Sequence, residues 1–125
     1  MTKQVGRILI IDDDPTFLNM ISDFLNSAGF RSLQAVNGLD GLKQLDSENP
    51  HLVILDINMP KLDGMQTCRL IRANEKYRSV PVLMLTGRGD INDMIEARKM
   101  GADDYLVKPF ESQTLLEKLE RLLAR

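Results

Sequence analysis

Short runs of apolar, often β-branched residues alternate along this chain with amphipathic stretches of about ten residues. Continuous apolar runs of this length are typical of strands that are buried on both faces. Such runs predict strands at residues 8–11, 52–55, 82–85 and 105–107, and a weaker pattern predicts another at 32–36. The chain is therefore expected to form a sheet whose strands are covered by helices on each side.

The stretches between these runs repeat their apolar residues at helical spacing. They predict helices at 15–28, 38–48, 64–73 and 91–100, and a last helix whose apolar stripe runs from 115 to 123. Asp14 is expected to cap the first helix, because its side chain can accept a hydrogen bond from the first turn. The residues expected to face inward include Leu39, Leu42 and Leu45 in the second helix and Met65, Cys68, Leu70 and Ile71 in the third.

Alternating strands and helices predict right-handed crossovers, and hence a doubly wound α/β fold with a five-stranded parallel sheet and helices on both faces. The chain of 125 residues is the size of a single domain, here 1–125. His51 is expected to be a structural or surface residue, and Asp103 and Asp104 are expected to lie in a turn.

Composition excludes several classes of protein. The formal net charge of −2 argues against direct nucleic-acid binding through bulk charge. The single cysteine excludes an internal disulfide and a multi-cysteine metal site. The sequence shows no secretory signal and no apolar run long enough for a membrane span, so we expect a cytoplasmic domain that does not bind membranes.

Polar residues follow four of the predicted strands at the point where each ends. They are Asp12 and Asp13, Asp56, Thr86 with Gly87, and Lys108. Parallel strands share their carboxyl-terminal edge, where ligands of open α/β sheets bind. Clustered carboxylates suit Mg²⁺, and a lysine and a hydroxyl can hold phosphate oxygens. The pattern therefore predicts phosphoryl-transfer chemistry, with an aspartate as the nucleophile.

The whole chain resembles the response-regulator receiver domains of two-component signalling. The resemblance is carried by segments in the family's order and spacing: ILIIDDDP (8–15), LDINMPKLDG (55–64), PVLMLTG (81–87), GADDY (101–105) and KPF (108–110). It implies a flavodoxin-like sheet of strand order 2-1-3-4-5. It also implies a phosphorylation-activated switch that catalyses its own phosphorylation and dephosphorylation but turns over no separate substrate.

The resemblance also implies a role for each polar residue. Asp56 would be the phosphoacceptor, and it would attack the phosphorus of a phosphohistidine donor in line. Asp13 would ligate Mg²⁺ directly, Asp12 would assist, and the backbone carbonyl of Asn58 would supply another ligand. The remaining two catalytic groups, Thr86 and Lys108, would contact the phosphoryl oxygens, and a cis Lys108–Pro109 peptide is expected.

Signal output would couple Thr86 to Tyr105. When Thr86 moves toward the phosphoryl group, the Tyr105 ring would fill the vacated space and alter the surface of the fourth helix, fifth strand and fifth helix. Gly87 would keep the pocket open, and Asn58 and Arg88 would line it.

The implied partners are a histidine kinase or histidine phosphotransfer protein, and a downstream protein or output domain. Pairing of two copies on phosphorylation is an additional alternative. Two other functions stay open at this point: an aspartyl-nucleophile phosphatase of the haloacid-dehalogenase type, and a receiver-like interaction module that is never phosphorylated. The start at Met1 slightly favours a free-standing or amino-terminal receiver.

Overall fold

The computed structural model describes residues 6–57, 59, 62–87 and 91–124. Strands and helices alternate through these residues. The strands are β1 (Arg7–Ile11), β2 (Arg31–Ala35), β3 (Leu52–Asp56), β4 (Val82–Thr86) and β5 (Asp104–Val107). The helices are α1 (Pro15–Ser27), α2 (Gly38–Glu48), α3 (Gly64–Ala73), α4 (Ile91–Lys99) and α5 (Ser112–Leu123).

The strands form one parallel sheet in the order β2-β1-β3-β4-β5, which confirms the expected topology. Two apolar layers cover it. Residues of α1 and α5 pack on one face, and residues of α2, α3 and α4 pack on the other. Because β3 and β4 are buried along their whole length, the runs at 52–55 and 82–85 had to be continuously apolar.

Two of the three leucines predicted to face inward from the second helix do so, since Leu45 is buried in the core and Leu42 packs against it. Leu39 is 57% exposed, whereas Gly41 and Leu45 are buried. A side chain at Gly41 would run into Ile11, so this glycine lets α2 approach the sheet closely. Leu39 lies on the solvent side of α2, and the prediction that it faces inward was wrong.

Three smaller predictions also need correction. Leu70 is 44% exposed, because α3 buries the face that carries Cys68 and Ile71. The second strand lies one residue earlier than expected, which leaves Val36 half-exposed beyond its end. Asp104 is the first residue of β5 and pairs with β4, rather than lying in a turn.

His51 has the structural role that was predicted for it. The imidazole Nδ1 of His51 accepts a hydrogen bond from the backbone N–H of Arg7 at 2.9 Å, and the backbone N–H of His51 donates to the Arg7 carbonyl oxygen. These bonds fix the entry of β3 beside β1.

None of the helices among the described residues has the length and apolar character that crossing a bilayer requires.

Candidate functional site

Three carboxylates converge at the carboxyl-terminal edge of the sheet. Asp12 and Asp13 follow β1, and Asp56 ends its neighbour β3. One oxygen from each lies within 4.8 Å of the others. Asp12 and Asp56 are buried, while Asp13 is exposed. At such spacing the charges repel by about 3 kcal/mol per pair at an effective dielectric constant near 20. We call these three residues the acidic cup.

Lys108 brings the positive charge to the acidic cup. It follows β5, and its Nζ lies 3.1 Å from Asp12 Oδ2 and 3.9 Å from Asp56 Oδ1. The Lys108–Pro109 peptide bond is cis, as the sequence resemblance implied. The same ammonium lies 4.0 Å from the centre of the Phe17 ring. Among the described residues of the site, one ammonium thus accompanies three carboxylates, so their formal charges sum to a negative value.

Hydrogen bonds orient the Asp12 side chain. Its Oδ1 accepts from the backbone N–H of Asp14 at 2.9 Å, while its Oδ2 accepts from Lys108. Asp14 itself caps α1 as predicted, because its side chain accepts from the Thr16 N–H. The turn from β1 into α1 therefore fixes the direction of one carboxylate and the start of the helix together.

Thr86 and Gly87 lie at the end of β4, beside β3 on one side and β5 on the other. Thr86 is fully buried, and its carbonyl oxygen accepts a hydrogen bond from the Lys108 N–H. A Cβ built on Gly87 would meet no atom of the described residues within 4 Å, so these residues leave the space in front of it open. Tyr105 is 8% exposed and packs in the layer beneath α3 and α4.

Gly64 is a site residue whose role the sequence reasoning missed. A Cβ at this position would overlap the Asp56 carbonyl oxygen and the Ile57 backbone, and the Gly64 N–H donates to the Ile57 carbonyl oxygen at 2.9 Å. The glycine lets α3 begin directly against the loop that presents Asp56. The Asp-Gly pair at a predicted helix start was the available signal.

Two predicted pocket residues, Asn58 and Arg88, lie outside the described residues. Of the predicted positions that the structure describes, Asp12, Asp13, Asp56 and Lys108 come together directly. Of the others, Thr86 is the last residue of β4, Gly87 follows it, and Tyr105 lies in the neighbouring strand β5.

Comparison with known proteins identifies the family. The model for the response regulator receiver domain matches residues 8–120. The chain belongs to this family. It is therefore a receiver domain of the two-component signalling type, and the family's fold is the one described above.

This chain matches only part of a longer curated relative. The chain is 44% identical over 119 residues to the DNA-binding dual master transcriptional regulator RpaA of Synechocystis sp.. The match covers 95% of this chain but 49% of RpaA, so the chain spans about half the length of that relative. The DNA binding in the name of RpaA is therefore a property of RpaA and is not assigned to this chain.

Solved receivers superpose closely on this one. The chemotaxis protein CheY4 of Vibrio cholerae is 31% identical with a TM-score of 0.91, covering 95% of this chain and 99% of CheY4. The receiver domain of a sensor histidine kinase from Pseudomonas aeruginosa is 30% identical with a TM-score of 0.90, covering 98% and 100%. That structure has a magnesium ion coordinated in its active site cleft.

Proposed function

We propose that this receiver domain is a switch that accepts a phosphoryl group on Asp56, with Mg²⁺ as cofactor. The observation that carries the proposal is the meeting of three carboxylates and the Lys108 ammonium at one edge of the sheet. A cluster of like charges is costly without a cation, and oxygen ligands with open positions suit Mg²⁺.

The transfer reaction needs few groups. An Asp56 carboxylate oxygen attacks phosphorus, the phosphorus–nitrogen bond of a phosphohistidine breaks, and the imidazole nitrogen leaves with the bond's electron pair. Since charge spreads over the phosphoryl oxygens, positioned cations supply most of the catalysis. Lys108 lies close enough to Asp56 to pair with one of those oxygens. Hydrolysis of the resulting acyl phosphate by water then resets the switch.

The metal would be held by the acidic cup. Asp13 is exposed and is assigned as a direct ligand, whereas Asp12, which already accepts hydrogen bonds at both oxygens, is assigned an assisting role. Asp56 and the carbonyl of Asn58 complete the proposed ligands. The bound ion would neutralise the repulsion between the carboxylates and the incoming phosphoryl group.

Thr86 and Tyr105 are proposed to transmit the signal. They lie on neighbouring strands, and their side chains would move together when Thr86 donates to the phosphoryl group. Gly87 leaves the entrance open, and Arg88 is proposed to line it. Receiver domains are generally signalling switches rather than enzymes with a separate substrate.

The proposed partners are a histidine kinase or phosphotransfer protein upstream and a protein or output domain downstream. Pairing of two phosphorylated copies and a cytoplasmic location stay predictions. The phosphatase alternative predicts turnover of a generic phosphomonoester, and the unphosphorylated-module alternative predicts no uptake at all.

Labelling with radioactive acetyl phosphate and Mg²⁺ tests the proposal. We expect acid-labile, alkali-labile label on the wild-type protein and none on Asp56→Ala. Asp63→Asn is the matched control, since it removes a nearby charge while keeping the helix cap that Asp63 provides. Label retained on Asp56→Ala, or absent from the wild type, would refute the assignment.

A further inference from the structure

We propose that Phe17 is a positioning residue for Lys108, and that its ring face keeps the ammonium beside Asp56. The proposal rests on the proposed function, in which Lys108 pairs with the phosphoryl group. Its structural basis is a cation–π contact: Lys108 Nζ lies 4.0 Å from the Phe17 ring centre. The ammonium is thus bounded by two carboxylates and one aromatic face.

A lysine at this place needs a positioning contact. Its ammonium is a point charge on a flexible four-carbon stem, and its donors have no fixed direction. The Lys108 side chain is 26% exposed, so water competes for it. Without a further contact the ammonium would spend part of its time turned away from Asp56, and transfer would have to wait for its return.

The ring contact differs from the carboxylate contacts in one useful respect. The nearest carboxylate, Asp12, also belongs to the acidic cup that is proposed to hold the metal. An ion there competes with Lys108 for the same oxygens. The Phe17 face uses no carboxylate oxygen, so it can retain the ammonium near Asp56 while the cup is loaded.

The ring is itself well fixed. Phe17 lies in the first turn of α1, which begins at Pro15 under the Asp14 cap. The Phe17 ring also contacts the ring of Phe110, two residues beyond Lys108, with ring centres 6.4 Å apart and ring planes at 89°. This edge-to-face pair joins α1 to the segment that carries the lysine. Phe17 therefore sets the position of Lys108 relative to the acidic cup.

Nuclear magnetic resonance of protein with isotope-labelled lysine tests the contact directly. Protons above a ring face are shifted upfield, so the Lys108 ε-methylene protons should lie upfield of those of other lysines, assigned by their loss in Lys108→Arg. The shift should disappear in Phe17→Leu and persist in Phe17→Tyr. The matched control is Phe24→Leu, which should leave the shift unchanged, because Phe24 lies in the same helix and lines the same surface groove as Phe17 and Lys108. We expect the shift to survive saturating Mg²⁺.

The rate of phosphorylation by acetyl phosphate tests the consequence. We expect it to fall about fivefold in Phe17→Leu, the size of an ordinary cation–π contribution, and to recover in Phe17→Tyr. A wild-type Lys108 without an upfield shift, a shift abolished by Mg²⁺, or a normal rate in Phe17→Leu would overturn the proposal. Failure of the wild type to take up label would instead refute the proposed function, since the chemical shift is measured without a phosphoryl donor.

Discussion

The two ends of the sheet each hold a cluster of charged side chains, and the clusters differ in how fully their charges are matched. At the amino-terminal ends of β4 and β5, the Arg72 guanidinium donates to Asp103 at 2.8 Å and to the carbonyl oxygens of Gly101, Arg78 and Val80. We call this cluster the Arg72 clasp. At the opposite end, within the part of the chain that the structure describes, the three carboxylates of the acidic cup lie near the Lys108 ammonium alone.

The difference separates structure from function. In the Arg72 clasp, Asp103 also accepts the Val82 N–H at 2.8 Å, so the clasp joins α3 to the starts of β4 and β5. A charge satisfied in this way holds elements together and has little left for a ligand. The acidic cup keeps an excess of negative charge, which is unfavourable for the empty site and favourable for a bound cation.

The comparison predicts that breaking the clasp has the largest effect on stability. Arg72→Met should lower the free energy of unfolding by about 3 kcal/mol, because it removes the guanidinium from the partly buried Asp103 carboxylate, which keeps its bond from the Val82 N–H, and removes the donor to three carbonyl oxygens. Urea denaturation measures this. The control is Lys76→Met at the exposed Lys76–Asp46 pair, which should cost no more than about 0.5 kcal/mol. Equal losses in the two variants would contradict the special role of the clasp.

A second prediction concerns Cys68, one helical turn before Arg72 and fully buried. Burial raises the pKa of its thiol from 9.0 to about 11, with a smaller opposing contribution from Arg72 and a raising one from Asp103. Above pH 9 the unfolded chain loses this proton first, so the stabilisation present at lower pH declines until about pH 11. Between pH 9 and pH 11 this loss is about 2 kcal/mol, at up to about 1.4 kcal/mol per pH unit.

Denaturation of the wild type and Cys68→Ala across this pH range isolates the thiol. The alanine variant carries the constant cost of a cavity but lacks the titrating group. The stability difference between the two proteins should therefore shrink from pH 9 to pH 11. Parallel curves would show that the thiol does not titrate differently in the folded state.

Magnesium should stabilise the protein through the acidic cup and not through the clasp. At ten times its dissociation constant, a ligand that binds the folded state raises the free energy of unfolding by about 1.4 kcal/mol. We expect this increment in the wild type and in Arg72→Met, and a much smaller one in Asp13→Asn. Thermal denaturation with and without Mg²⁺ measures it, and an unchanged increment in Asp13→Asn would contradict the proposed ligand set.

The smallest predicted effect has the opposite sign to that of the clasp. Without Mg²⁺, Asp13→Asn should raise the free energy of unfolding by about 1 kcal/mol, since it removes one of three mutually repelling charges at a partly screened position. Asp23→Asn, at an exposed site on α1, serves as the control and should change stability by less than about 0.5 kcal/mol. Destabilisation by Asp13→Asn would show that the cup is not under electrostatic strain.

Much of the site could be predicted because parallel strands share one edge. Asp12, Asp56 and Lys108 each follow a buried apolar run, and the rule for open α/β sheets places all three together. Thr86 was placed on the same edge for the same reason. The roles assigned to these residues came from the family resemblance, and they stay predictions until the labelling experiment is done.

The features that were missed depend on how each helix is rotated against the sheet and on how closely backbone segments approach one another. Spacing gives the period of an amphipathic helix, but the face that meets the sheet depends on packing, as Leu39 and Gly41 show. The Arg72 clasp was also missed, because most of its acceptors are backbone carbonyls, which carry no signature in the sequence.

The sequence by itself determined the parallel α/β architecture and the residues at its functional edge, because burial on two faces demands continuous apolar runs and leaves polar residues for their ends. The tertiary structure alone decided which groups touch. It placed Lys108 against Phe17, Gly64 behind Asp56 and Arg72 around Asp103. Such contacts join residues of different strands, helices and loops, and their geometry is fixed only when these elements pack together.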